Sequence, residues 1–275
     1  MIYCPYSDKD IPNEESSSEH ILPLSLGGIN TFEILVSKRE NSAVGSTLDG
    51  LLAEDYLIKK CRNKYDIRGH SNKKPFVEFR RARCAITQKP LNVTFDAMKG
   101  VKVWSHQEKK ELTGGNTLEL QLKMDIDLDL MFVAKVALSA GYFAYGELFR
   151  NHVNHHEFRI IMNNRPNELD PIKTPLSACV DSRFSITDEE PLQLFRLLCE
   201  KTAQPCSIVG LVPSASRFTV FVGILGNYIG TINVPADGTL FPNSGSYEKG
   251  HVICIQNGKL NRVSFKRVLE KFFVQ

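Results

Sequence analysis

The amino-acid sequence predicts an α+β fold, and three observations predict it. The opening reads as turns, then a short apolar strand, then a helix. The run from Leu128 to Phe149 is almost continuously apolar and long enough for a buried helix. Beyond Phe218, apolar strands alternate with Gly-Asn, Asp-Gly and Asn-Gly turns. With 42% hydrophobic and 24% charged residues, whole-chain disorder, collagen and coiled coil are excluded, and 275 residues suffice for one large domain or two small ones.

The elements follow in order. Ile34-Leu35-Val36 is a short strand. Asn41 opens a helical stretch, with Ser46 or Thr47 as N-cap for a run from Leu48 to Lys60. Residues 59 to 83 hold ten Lys or Arg against two acids, Asp66 and Glu78, and Gly69 and Pro75 break them into loop and strand. Residues 84 to 125 are short β segments, Leu118 to Leu122 alternating with period two after the turn Thr113-Gly114-Gly115-Asn116. A helix from about 128 to 150 is followed by a proline-marked loop at Pro166, Pro171 and Pro175. Glu190 to Lys201 is a second helix. Strands over Phe218–Ile224, Tyr228–Val234 and His251–Ile255 precede a closing helix from Ser264 to Phe273. The expected organisation is a unit over 1–83 and an α+β region over 84–275, which supplies recognition, regulation or homo-oligomer contacts.

Location and partners are read from charge and cysteine usage. Seven scattered cysteines with no C-x-x-C pair argue against a disulfide framework and a four-cysteine zinc site. The first twenty residues lack a basic region followed by an apolar run, so no secretory signal is expected. Asp129, Lys135 and Glu147 interrupt the apolar run, which favours a buried helix over a membrane span. The expectation is a cytoplasmic, reducing environment and no membrane partner. The net charge of +3 does not by itself mark a nucleic-acid binder, so such a role rests on where the charges sit.

The chemistry concentrates in Glu19-His20-Ile21-Leu22-Pro23-Leu24-Ser25-Leu26-Gly27-Gly28 and in Asn41-Ser42-Ala43-Val44-Gly45-Ser46-Thr47-Leu48-Asp49. Pro23 and the Gly27-Gly28 pair force a wide loop after His20. A hairpin followed by a helix then brings Asn41 back beside Glu19. A carboxylate oxygen and an amide oxygen form a half-filled hard-oxygen site, suited to one Mg²⁺ or Mn²⁺ completed by water and phosphate oxygens. A neutral His20 beside that ion is able to take a proton from water.

These two segments, in this order and at this separation, resemble the HNH endonuclease family, whose fold is the ββα-metal module; the related subgroup reads EHIIP-x-SLGG and then C-x-x-C-N-x-x-x-G-S-x-x-D. The resemblance covers roughly residues 4 to 83. It implies that His20 is the general base, that Glu19 and Asn41 hold the metal, and that the residue steadying the histidine is Asn30 or, with less weight, Glu33. The family's two C-x-x-C pairs fall here on Cys4 with Ser7 and on Ser37 with Glu40, so a structural zinc clamp is not expected. The implied reaction is metal-dependent hydrolysis of DNA, in a setting such as restriction or phage defence. An inactive DNA-binding module and a nuclease for RNA or branched DNA stand as alternatives.

Around such a site the basic stretch becomes a phosphate-binding surface. Lys38, Arg39, Lys59, Lys60, Arg62 and Lys64 are the first candidates, and Arg80, Arg81 and Arg83 the second. Two other features read as structural. His152 and His156, four apart, mark a polar helix end, and Trp104 belongs to the core.

Overall fold

The structure is a computed structural model and describes residues 1–96, 99–112, 117–120, 124–201 and 205–273. It is an α+β arrangement with four antiparallel sheets. The first is a ribbon of β1 (Ile2–Cys4) and β2 (Lys9–Ile11). The second pairs β3 (Ser16–His20) with β4 (Glu33–Ser37), setting Glu19 opposite Ile34 and His20 opposite Glu33.

The chain leaves β4 straight into α1 (Lys38–Val44), which continues through a π-helical turn at Gly45–Asp49 into α2 (Gly50–Glu54). Ser46 and Thr47 are therefore not caps. Their hydroxyls donate back to the carbonyls of Ser42 and Ala43, the bonding that lets these residues sit inside a helix. The break comes at Asp55, whose backbone is extended and whose carboxylate accepts the N–H groups of Leu57 and Ile58, capping α3 (Tyr56–Lys64).

The third sheet contains β5 (Val77–Cys84), β6 (Pro90–Asp96), β7 (Gly100–Ser105), β8 (Lys110–Leu112) and β9 (Leu118–Glu119), in the order β8-β7-β6-β5-β9. Its inner face gathers Ala82, Cys84, Leu91 and Val93 into a small core of its own. The rings of Phe79 and Phe95 rest on Tyr56 of α3, with centroids 4.8 and 6.2 Å away. Trp104, expected in the core, is 44% exposed. The pleat explains the correction: Val103 and Ser105 turn inward, and Trp104 between them faces out, opposite Asn92. The turn expected at 113–116 and residues 121 and 122 of the alternating segment lie outside the described residues.

The apolar run forms α4 (Ile126–Tyr145), buried along most of its length. Among the described residues no helix is long and apolar enough to cross a membrane. Gly146, at φ +54, ends α4, and α5 (Glu147–His152) and α6 (His155–Asn163) follow at new angles. His152 and His156 thus lie on different helices and do not share one face. Phe149 of α5 packs back onto Gly141, where an added Cβ would fall 2.3 Å from the ring.

The fourth sheet closes the molecule. It comprises β10 (Cys179–Ser182), β11 (Cys206–Pro213), β12 (Arg217–Ile224), β13 (Asn227–Pro235), β14 (His251–Gln256) and β15 (Lys259–Ser264), in the order β10-β13-β12-β11-β14-β15. Helices α7 (Glu190–Lys201) and α8 (Phe265–Phe273) cover one face through Phe195, Leu198 and Phe265. Side chains on the other face, such as Val209, Val220 and Ile232, join α4 in the main core. The Asn257-Gly258 turn is left-handed at both residues, as its sequence predicts. The β12–β13 turn is instead centred on Leu225-Gly226, one residue earlier than the Gly-Asn pair suggests.

The main core is one cluster that draws on residues from Cys4 to Ile58 and from Leu128 to Ile255 and takes in the hairpin, α1, α2, α4 and the six-stranded sheet. The expected division at residue 83 does not separate two cores.

Candidate functional site

The loop after His20 is built by its prolines and glycines. Pro23 opens a tight 3₁₀ turn over Leu24–Leu26, and Gly27 follows in the left-handed region at φ +84. A Cβ at Gly28 would stand 1.7 Å from the carbonyl oxygen of Leu22, so no other residue fits there. The loop then returns Asn30 to the histidine. His20 Nε2 lies 3.0 Å from Asn30 Oδ1. A neutral imidazole bonded to that carboxamide oxygen donates from Nε2. Glu33, the other candidate for this position, is the cross-strand partner of His20 on β4. The edge of the His70 ring approaches His20, with centroids 5.8 Å apart. His20 is half-buried, and Asn30 and His70 are exposed, so this group lies at the surface.

Glu19 has the opposite fate. Strand neighbours point to opposite faces, and Glu19 points inward. Its Oε1 meets the Nζ of Lys135 from α4 at 2.6 Å, and the Tyr6 hydroxyl lies 3.5 Å from the same oxygen. Lys135 is completely buried, and its ammonium has four oxygens around it. They are Glu19 Oε1, the carbonyl of His20 at 2.9 Å, that of Ile21 at 3.3 Å, and Asp49 Oδ2 at 3.3 Å. This is a cation site filled from within the chain. The other oxygen of Asp49 is buried without a hydrogen-bond partner. Burial, reinforced by the Glu19 carboxylate and opposed by Lys135, pushes the Asp49 carboxyl up to about 6. Burial and the same two carboxylates hold the Tyr6 phenol well above its ordinary range.

Asn41 sits in the first turn of α1. Its Nδ2 donates to Ser17 Oγ at 3.0 Å and to the Ser18 carbonyl at 2.9 Å. The amide therefore stitches α1 to β3, one and two residues before Glu19. Cys4 Sγ accepts the N–H of Ser37 at 3.3 Å. Two of the four positions at which the resembled family carries zinc thiolates are thus joined by a hydrogen bond, and β1 is tied to the hairpin without a metal.

The structure brings His20 to Asn30 and Asn41 to β3. It does not offer Glu19 as a free ligand. A divalent ion at that carboxylate would stand against an ammonium already 2.6 Å away, and like charges at such distances repel strongly in a buried setting. As found, the pair Glu19 and Asn41 does not fit a divalent ion. Lys135 and Asp49 were missed as members of the site. Each left a signal: a lone lysine inside an apolar run, and the closing Asp of the second motif, eight residues after Asn41 on a nearly continuous helix.

Of the basic candidates, Arg62 is corrected. It is buried, and its Nη1 donates to the Ala53 carbonyl, bracing the α2–α3 corner. Lys59 pairs with Glu54, and Lys38 donates to the Glu14 carbonyl at 2.6 Å. Arg39, Lys60, Lys64, Arg81 and Arg83 are exposed. Arg80 is exposed as well and bonds Glu78 at 2.8 Å. Charge is unevenly divided. Residues 59–112 hold fifteen Lys or Arg against five acids, and the rest of the chain holds nineteen against twenty-six. A chain with a net charge of +3 therefore carries about +10 on α3, the loop after it and the five-stranded sheet.

Compared with protein-family models, with curated proteins and with solved structures, the chain finds no match in any of the three.

Proposed function

We propose that the chain is an HNH-type endonuclease that hydrolyses phosphodiester bonds in DNA, with His20 as general base. The observation that carries this reading is the His20–Asn30 pair, held at the surface of a strand–loop–strand–helix unit next to a strongly basic segment. Asn30 fixes the imidazole through Nε2, which leaves Nδ1 to accept a proton from the attacking water. Arg39, Lys60 and Lys64 would hold phosphates nearby and set affinity and salt dependence without reading sequence. The resemblance implies Mg²⁺ or Mn²⁺ at Glu19 and Asn41, and those two residues as found do not fit it. Glu19 is engaged by Lys135, so the reading rests on His20 and the basic segment.

The test is plasmid cleavage with wild type and His20→Ala, in Mg²⁺, in Mn²⁺ and in chelator. The reading expects nicking by wild type and a loss of 10²–10⁴-fold in the variant with DNA binding retained. Equal cutting by both proteins refutes His20 as the base. A second reading, a DNA-binding module that does not cut, is favoured by the ammonium beside Glu19. Binding without nicking under all three conditions would establish it.

A further inference from the structure

The feature that the proposed site leaves unused is the outer face of the five-stranded sheet. The inner face is packed, but the outer one is open and carries the chain's single tryptophan. Contacts fix which side chains share it. Trp104 lies opposite Asn92 across β6 and β7. Asn92 donates to Glu78 at 2.7 Å, and Glu78 also accepts from Arg80. Lys102, two residues before Trp104 on β7, lies opposite Thr94 on the same side. The result is an indole, a guanidinium and an ammonium on one solvent-facing surface.

This surface is continuous with a cleft. Glu78 also lines a cleft of about 370 Å³ that is bordered by Lys73, Lys74 and Phe76. Phe76 is 53% exposed. From His70, beside His20, the chain runs through Lys73, Lys74 and Phe76 directly into β5. Two exposed aromatic rings and four cations thus mark one path from the His20 site to Trp104.

We infer that this path binds single-stranded DNA, with a base stacked on Trp104 and the backbone held by Lys102, Arg80, Lys73 and Lys74. The inference rests on the nucleic-acid reading above and narrows its substrate. Charge complementarity selects a polyanion, because residues 59–112 carry about +10. The exposed ring selects unpaired bases, since a duplex hides its base faces and an exposed indole offers a free base a stacking partner. Glu78 and Glu111 do not reverse this: Glu78 is bonded by Arg80 and Asn92, and Glu111 lies 3.7 Å from Lys102.

The single tryptophan makes the test specific to this face. His20→Ala protein, used so that the probe is not cut, is titrated with a dye-labelled twelve-residue oligothymidylate and with a labelled duplex of equal length, following tryptophan emission where Trp104 is present and the dye's anisotropy for every variant. The inference expects quenching by the single strand, preference for it over the duplex, and affinity that falls with salt. Trp104→Ala should weaken binding tenfold or more, and Trp104→Phe should stay within about threefold of the parent, because an aromatic face is retained. Phe76→Ala serves as a second variant on the same path. Unchanged emission, equal affinity for the duplex, or a Trp104→Ala protein that binds like its parent would each overturn the inference. Failure here with plasmid cutting intact leaves the nuclease reading in place; quenching without cutting by wild type refutes the nuclease and leaves the binding path.

Discussion

Lys135 is the residue on which the hairpin depends. It has no exposed surface, and its ammonium is matched by two carboxylates and two carbonyls. Removing one partner of a buried pair strands the other, so Lys135→Met should cost roughly 3–5 kcal/mol in denaturant unfolding. Adding Glu19→Gln should return part of that loss, and a double-mutant cycle measures how much. The oxygens left behind in Lys135→Ala suit a small cation, so Mn²⁺ should raise the melting temperature of that variant and leave wild type unchanged. Asp49 adds a pH dependence. Its folded value of about 6 lies above the ordinary aspartate value of about 3.9, so the folded chain holds more protons between those limits. Its contribution is therefore complete below about pH 4, lost as pH rises through 6, and flat beyond. The full effect is about 3 kcal/mol. Asp49→Asn should flatten this part of the stability–pH curve, read by urea unfolding from pH 4 to 7. At the surface, Asn30→Ala removes one oriented hydrogen bond and should lower any cleavage rate by about tenfold, with His20 still present.

At the scale of elements, helices and strands were legible wherever periodicity and turn chemistry agreed. The helix over Glu190–Lys201 and the Asn257-Gly258 hairpin are examples. Local reading failed where a tertiary partner decided. Ser46 and Thr47 have cap chemistry, yet the helix runs through them, and the stop is set by Asp55. Asp55 caps α3 and also receives Arg183, whose guanidinium bonds Asp55 and Asp129 at 2.8 to 3.0 Å. Nothing near residue 55 announces a partner 128 residues away. The same holds for Glu19, whose motif suggests a ligand and whose actual partner lies on α4. His20 and Asn30 were legible because they are ten residues apart and joined by one loop. Arg183→Ala leaves two buried carboxylates facing each other and should destabilise by several kcal/mol. Chemical unfolding of Arg183→Ala beside Asp55→Ala separates this from the cap, which alone is worth about 1 kcal/mol.

The whole molecule sets a limit on treating the hairpin as a portable module. Its side chains Ile21, Leu22, Phe32 and Val36 are fully buried in a core shared with α4 and the six-stranded sheet. Ser207 of β11 donates to the Leu26 carbonyl, and Leu225 stands against Gly27, so the loop that follows His20 is braced from the far end of the chain. Lys135 adds the buried charge that Glu19 needs. A fragment of residues 1–83 would lose all three supports, expose that apolar surface, and leave Glu19 without its cation. It should show no cooperative thermal transition and poor dispersion of its amide resonances, and adding Mg²⁺ or Zn²⁺ should not restore either. A cooperatively folded fragment would mean that the hairpin and α1 hold themselves together, and that α4 is an attachment to the site and not part of its foundation.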